Sequence, residues 1–144
     1  MQIQVATLCD AAADYGGKLS VMGAFDTIAG GNTPVVHPQC ALALRVCFEV
    51  QDVGLQTFHI GLIDGDGNPV MPPIQPEPKI QVQMPSPDTI FVSHNLIINM
   101  QGLKFDKAGH FSFDIRVGDE KEMLCRIPIR VLLLDENGRP LPMD

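Results

Sequence analysis

Apolar residues recur at every second position through most of the chain. In the segment HFSFDIRV (110–117), Phe111, Phe113, Ile115 and Val117 alternate with polar or charged residues. Because successive side chains of a β-strand point to opposite faces of the sheet, this period of two is typical of a strand with one face on a core and the other in water. The sequence therefore predicts a β-strand here.

The same alternation predicts strands in much of the remaining chain. In EMLCRIPIRVLLL (122–134), every odd position from Met123 to Leu133 is apolar, whereas Arg126 and Arg130 lie on the other side. About eight strands are expected in total. The further alternating segments are at 3–5, 19–25, 40–50, 58–62, 80–84 and 90–100.

Turn-forming residues separate these segments. Gly, Asp and Asn, which accept positive φ or cap a turn with their own side chains, concentrate at 14–19, 64–69 and 117–122. Helical spacing is nearly absent, and Asp10 followed by three alanines predicts at most one short helical turn. Strands with one apolar side each, joined by tight turns, favour two sheets packed face to face. The predicted fold is a single all-β antiparallel sandwich, immunoglobulin-like or C2-like in general shape.

Seven of the twelve prolines lie in the segment 69–87. Because proline cannot donate a hydrogen bond to a sheet, this segment is predicted to form an edge or to cross between the sheets, with KIQVQM (79–84) as a short edge strand. A polyproline ligand for an SH3-type partner is the alternative. Glu77 and Lys79 supply no strong basic flank for such a ligand, so the edge interpretation is favoured.

The length of 144 residues suits one domain with one core. No internal repeat is visible, and the composition changes abruptly after Leu134. The sequence therefore predicts a single domain over 1–134 and a loose C-terminal tail over 135–144.

The net charge of −7 and the pI near 4.9 argue against binding to nucleic acid or to an anionic membrane, since both need a basic surface. No segment approaches the ~20 consecutive apolar residues of a membrane-spanning helix. The first ten residues lack the basic start and apolar stretch of a secretory signal. We expect a soluble, cytoplasmic protein.

The four cysteines form no C-x-x-C pair, so neither a disulfide scaffold nor a zinc knuckle is indicated. Cys9 precedes the possible helical turn, whose amide dipoles would lower its pKa and make it a nucleophile. An ordinary buried thiol is the favoured interpretation, because free cysteine is among the most buried residue types. Cys40 and Cys125 fall on apolar positions and are expected in the core.

The stretch IDGDGNPV (63–70) is the strongest candidate for a cation site. Asp64, Asp66 and Asn68 match the first, third and fifth ligand positions of an EF-hand loop. The motif then fails, because its sixth position holds proline and its twelfth holds glutamine. A strand-to-strand turn is favoured. A C2-type calcium site is the alternative, and it would recruit further aspartates, for which the candidates are Asp10, Asp14 and Asp26.

The four histidines, His37, His59, His94 and His110, lack the close spacing of a metal motif. His94 shares the apolar side of its strand and is expected to be a buried, hydrogen-bonded core residue. His110 is expected to face solvent.

Several arginines lie on the polar side of their strands and offer an anion site as one interpretation. A solvated face interleaved with acids is the favoured one, because antiparallel sheets commonly leave one face in water. No Gly-rich phosphate loop, G-x-S-x-G elbow or H-E-x-x-H helix occurs. No catalytic residue, cofactor site or metal ligand is assigned. The arginines concerned are Arg45, Arg116, Arg126 and Arg130.

Several sequence segments, which together span nearly the whole chain, resemble the sequences of a bacterial family of small β-sandwich domains of unknown function. The most specific block is ATLCD followed by GKLSV-x-G-x-FD, within residues 4–28. The others are PVVHPQCALALR (34–45), NLIINMQGLKF (95–105) and the pair GHFSFDIRV and RIPIRV within 109–131. The resemblance implies a single β-sandwich domain and carries over no activity, cofactor or active-site residue.

These observations favour a non-enzymatic interaction or structural module that binds another protein or its own copy. The alternative function is a small calcium- or zinc-binding domain, or an enzyme, that uses aspartates of the strand-end loops together with His37 or His94.

Overall fold

The computed structural model describes residues 1–143, and in that range the chain forms nine β-strands and a single short 3-10 turn. No helix within these residues is long and apolar enough to cross a membrane. The all-β prediction is confirmed. The strands are β1 (Gln2–Tyr15), β2 (Lys18–Phe25), β3 (Thr27–Gly30), β4 (Val35–Glu49), β5 (Gly54–Asp64), β6 (Lys79–Val82), β7 (Phe91–Phe105), β8 (Gly109–Val117) and β9 (Glu122–Leu133), and the 3-10 turn is Val50–Asp52.

The strands form two sheets. Sheet A has the order β2-β1-β4-β7, and sheet B has the order β3-β9-β8-β5-β6. Neighbouring strands are antiparallel except for β3, whose four residues run parallel to β9. The expectation of purely antiparallel pairing is therefore wrong for β3. Residues 31–34 carry the chain from β3 in sheet B to β4 in sheet A.

One apolar core lies between the two sheets. On β4 every even position from Cys40 to Phe48 is at most 1% exposed, and Phe58 on β5 and Phe113 on β8 face it from sheet B. The rings of Phe48 and Phe58 meet edge to face at 6.5 Å between centroids. The alternation predicted for 58–62, for 110–117 and for 40–50 as far as Phe48 therefore corresponds to a buried side of each strand. Val50, which was included in that pattern, lies beyond the end of β4 and is 57% exposed.

The hairpin of β1 and β2 folds back over the outer face of sheet A. There it covers a second cluster of small buried residues, Cys9, Ala41 and Ala43, against which Ala12 and Leu19 pack. The short helical turn predicted after Asp10 is wrong. Residues 11–13 are held extended because they pair directly with Met22, Val21 and Ser20 of β2.

The proline-rich segment runs beside β5 as an irregular edge. The N–H groups of Val70 and Ile74 donate to Leu62 and Ile60, both at 3.0 Å, and β6 completes the edge. The prediction of an edge in this region is confirmed.

The segment predicted to be a loose tail begins with a closed turn. The Asp135 carboxylate accepts the N–H groups of Asn137 and Arg139, each at 2.9 Å, and Leu141 donates to Leu133 at 2.7 Å. Residues 135–141 therefore double back against the end of β9.

Candidate functional site

The outer face of sheet B presents a band of polar and charged side chains. Because β5, β8 and β9 lie side by side in register, Gly61 stands next to Asp114, and Asp114 stands next to Arg126. Two residues further along the same pair of strands, His59 of β5 stands next to Arg116 of β8. Alternation therefore brings a histidine, a carboxylate and two guanidinium groups from three strands onto one surface.

Asp114 is the charged centre of this surface. It is only 8% exposed, and its two oxygens accept bonds from Arg126 Nε at 2.8 Å and Nη2 at 3.1 Å. Ser112 Oγ donates to the same carboxylate at 3.4 Å, and Arg116 Nη2 lies 3.7 Å from it. The hydrogen bond to Asp114 and its negative charge raise the pKa of Arg126. A buried carboxylate is thus satisfied by one bidentate partner and one nearby cation.

His59 joins the proline-rich edge to the turn between β8 and β9. Its Nδ1 pairs with the Glu77 carboxylate, and its Nε2 donates to the carbonyl oxygen of Gly118 at 2.8 Å. Neither partner was visible in the sequence, because Glu77 and Gly118 belong to separate loops. The histidine therefore connects three segments that are distant in the chain.

A cleft of about 560 Å³ opens over this surface, and we refer to it as the sheet B cleft. Gly61 lines the cleft, and no atom lies within 4 Å of the position that its Cβ would take. Lys121 lies at the rim with φ +53°, and its carbonyl oxygen accepts a bond from Arg116 Nη1 at 3.2 Å. The residues that line the cleft include His59, Gly61, Glu77, Asp114, Arg116, Lys121 and Arg126.

The residues of IDGDGNPV form a corner. One carboxylate oxygen of Asp64 accepts the backbone N–H groups of both Asp66 and Asn68 at 2.9 Å. The bond from Asn68 is the main cause of a lowered Asp64 pKa, and the bond from Asp66 and the charge of Lys107 act in the same direction. The side-chain oxygen therefore closes the turn, as the favoured sequence interpretation proposed.

The other predicted acids serve local contacts. Asp14 accepts bonds from Gly17 at the hairpin tip and from Asn95 of β7, and Asp26 accepts one from Thr27. Asp10 lies against Gly23, where the two strands of the hairpin bend. Within residues 1–143, no three His, Cys, Asp or Glu side chains come together as a group that could hold a metal ion.

The other three histidines do not line the sheet B cleft. The ring of His37 packs on Phe25 at 5.1 Å between centroids, and the ring of His94 packs on Phe48 at 5.7 Å. His94 is half-buried on the core side of β7, rather than fully buried as predicted. His110 faces solvent, as predicted.

All four cysteines are free thiols. Cys9 is fully buried and donates to the carbonyl oxygen of Ala41 at 3.6 Å. Burial, followed by the charge of Asp10, raises the pKa of Cys9, and burial raises that of Cys40 to about 11. A nucleophile needs the opposite shift, so the favoured interpretation of Cys9 as a buried thiol is confirmed.

The four arginines divide between the two sheets. Arg116 and Arg126 contact Asp114, which matches the favoured interpretation of a face interleaved with acids. Arg130 donates to Thr27 Oγ1. Arg45 lies on sheet A and donates to Gln4, to Asn95 and to the carbonyl oxygen of Gly17. Two of the four predicted arginines therefore meet in the sheet B cleft.

Residues 4–132 match the profile of DUF6941, a family of unknown function. The chain belongs to this family. The resemblance drawn from the sequence blocks is confirmed to that extent, and the bacterial source stays a prediction. No curated protein matches the chain, and no solved structure matches it. The DUF6941 match covers both sheets almost entirely, from β1 into the end of β9.

Proposed function

We propose that this DUF6941 protein is a non-enzymatic interaction module that receives an extended strand, from another protein or from a second copy, at the free edge of β7. The supporting observation is the length and composition of that edge. β7 has fifteen residues, or about 50 Å at ~3.3 Å per residue, and among residues 1–143 only β4 pairs with it. Residues 91–103 contain no Asp, Glu, Lys, Arg or Pro.

The other three edges carry the usual protection against strand addition. β3 and β6 have four residues each, and Lys79 together with the preceding Pro78 blunts β6. β2 carries Lys18 and is bent at Gly23, where φ is +69°. Short strands, charges, prolines and bulges are the common protections of exposed edges. β7 has its own positive-φ residue at Gly102, where φ is +65°, but residues 91–101 before it carry no charge, no proline and no positive φ, which favours a partner along this part of β7.

The core side of β7 is incompletely covered. Val92, Leu96 and Ile98 are only partly buried, whereas Leu42 and Leu44 on the neighbouring β4 are 0% exposed. A strand added beside β7 would bring its own inward side chains over these residues. Its binding would therefore combine backbone hydrogen bonds with apolar burial.

We also propose that the fold is immunoglobulin-like rather than C2-like. In an immunoglobulin sandwich, one sheet has the order A-B-E-D and the other contains G-F-C. The orders β1-β4-β7 and β9-β8-β5 correspond to A-B-E and G-F-C. The chain passes from β6 to β7 without a strand in the position of D, which would lie beside β7. A donated strand would occupy that position.

Apolar side chains near the first residue of β7 support the same surface. Val50, Val53, Ile90 and Phe91 are each more than half exposed. Val50 and Val53 share a groove with Met84, and Phe91 pairs with Glu49, which directly precedes Val50.

The free thiols agree with a reducing compartment, and we propose the cytoplasm as the location.

Size-exclusion chromatography with light scattering, and pull-down from a native cell extract, test the interaction. The double variant Asn99→Lys/Gln101→Lys adds two charges at exposed positions of β7. We expect at least about tenfold weaker self-association or partner capture, ~1.4 kcal/mol, because charges on an edge oppose strand addition.

The control is Ser20→Lys/Gln81→Lys, which adds the same charge at exposed positions of β2 and β6, two of the other three edges. It should bind like the original protein. A monomeric protein that retains no partner from the extract would contradict the proposal, and so would unchanged binding by the β7 variant.

A further inference from the structure

We infer that the sheet B cleft is a binding site for the carboxylate group of a small organic anion. This inference goes beyond the proposed strand-binding function and concerns the opposite sheet. Four observations carry it: the local charge, the unused donors of Arg126, the open floor at Gly61 and the two acids that remain in the cleft.

The charge of the sheet B cleft differs in sign from that of the whole chain. Three cations, Arg116, Lys121 and Arg126, face two acids, Asp114 and Glu77, which gives an excess of one positive charge. The whole chain carries −7. Glu77 is additionally paired with His59, which reduces its effect on an incoming anion. The sheet B cleft therefore attracts anions on a molecule that otherwise repels them.

Arg126 retains donors for a second carboxylate. A guanidinium group has five N–H donors, and Asp114 uses one from Nε and one from Nη2. The three remaining donors include the terminal pair that binds a carboxylate end-on, and the side chain is 56% exposed. In the part of the chain that the structure describes, the Lys121 ammonium makes no ion pair. It is available as a second cation.

Gly61 leaves room for the body of the ligand. No atom lies within 4 Å of its missing Cβ, and its backbone lies outside the left-handed region. Most residues are therefore sterically possible at this position, and an alternating strand would ordinarily place a side chain there. The volume of about 560 Å³ lies within the range of small-molecule sites, roughly 300–1,000 Å³.

The acids in the sheet B cleft favour a carboxylate over a phosphate. A carboxylate carries one negative charge at pH 7, whereas a phosphate monoester carries close to two. Attraction to an excess of one positive charge grows in proportion to the charge of the ligand, whereas the cost of removing an ion from water grows with the square of its charge, so the dianion gains less from this cleft.

NMR titration of the ¹⁵N-labelled full chain tests this inference, with sodium acetate and sodium benzoate as probes. Ionic strength is held constant with sodium chloride, and sodium phosphate is the competing anion. We expect saturable shifts of the Gly61 amide and of the Arg126 Nε–H signal with the carboxylates. Shifts that never saturate, or tighter binding of phosphate, would overturn the inference.

Two variants separate the site from general attraction of anions. Gly61→Val fills the floor without changing a charge and should raise the dissociation constant at least about tenfold. Ser20→Val, an exposed position on β2, is the matched control and should have no effect. Arg126→Lys keeps a charge near Asp114 but removes the fork, and it should also weaken carboxylate binding. Unchanged affinity in both Gly61→Val and Arg126→Lys would refute the site.

Discussion

Asp64 closes the corner after β5 with a single oxygen that accepts two backbone N–H groups. These bonds favour the charged carboxylate, which lowers its pKa in the folded protein below the ordinary value of 3.8. A group with a depressed folded pKa contributes stability above its unfolded pKa and loses it as the pH falls through the folded pKa. The corner should therefore weaken in acid.

The variant Asp64→Ala tests this dependence. Its free energy of unfolding should be lower than that of the original protein at pH 7, because two turn N–H groups lose their acceptor. The difference should shrink as the pH falls below 3.8. Urea denaturation at pH 7 and pH 3 measures it, with Asp64→Asn as a control that keeps an acceptor oxygen without titrating. A difference equal at both pH values would exclude the proposed cause.

Single side chains also show where alternation stops being predictive. Met123 continues the apolar pattern of its segment, yet it is 41% exposed. The reason is a bulge in β9. Ile115 pairs with Cys125, but the next residue, Arg116, pairs with Met123, so Leu124 is unpaired. The residues of β9 before Leu124 therefore point to the opposite side of the sheet from the side that simple alternation predicts. The bond between Asp114 and Arg126 depends on the same register between strands. Alternation in the sequence predicts which residues of a strand face the core and which face solvent. It does not predict which residue of the adjacent strand each one pairs with.

At the scale of elements, the β1–β2 hairpin is held over sheet A by few polar contacts. Arg45 Nη1 donates to Gly17 at 2.9 Å and to Asn95 at 2.7 Å, and Asn95 in turn donates to Asp14 at 3.1 Å. Cys9 lies on β1, where it pairs with Ala24 near the base of the hairpin, and it has no exposed surface. The rate at which Cys9 reacts with a thiol reagent therefore reports opening of the hairpin.

Replacing Arg45 with alanine should release the hairpin tip and make Cys9 react about tenfold faster, which corresponds to an opening that costs ~1.4 kcal/mol less. Thiol labelling followed by peptide mass spectrometry measures each cysteine separately. Cys40 lies between the sheets and should keep its rate, and Arg130→Ala, on sheet B, should leave Cys9 protected. Equal acceleration of Cys9 and Cys40 would indicate general destabilisation and contradict the prediction.

The hairpin also shows which elements the sequence could predict. The turn at 14–19 and the strands on either side follow from glycine and from alternation. The packing of Cys9 and Ala12 does not, because both are small enough to be covered by a neighbouring strand and the run of three alanines carries no periodic signal. For the same reason, Ala41 and Ala43 looked like the solvent side of β4, although both are fully buried. Burial of both faces removes the contrast on which the prediction depends.

At the scale of the whole molecule, the two sheets share a core and should unfold together. Core residues come from eight strands, including Leu8 of β1, Val82 of β6 and Val131 of β9. Loss of either sheet would expose the apolar side of the other, so partly folded states are costly. Cys40 lies in this core at 1% exposure, with its pKa raised to about 11. Only an event that separates the sheets makes it reactive.

Urea denaturation should therefore give one transition, with the far-ultraviolet circular dichroism signal and the labelling of Cys40 changing at the same urea concentration. The dependence of the unfolding free energy on urea should lie near ~1–3 kcal/mol/M, as for other domains of this size. The folded spectrum should be that of a strand-rich protein. Labelling of Cys40 well before the spectral change would show that one sheet detaches first, because the thiol is accessible only when β4 separates from sheet B. Since the edge of β7 and the sheet B cleft lie on different sheets, a single transition would also mean that ligands at either site stabilise the whole domain.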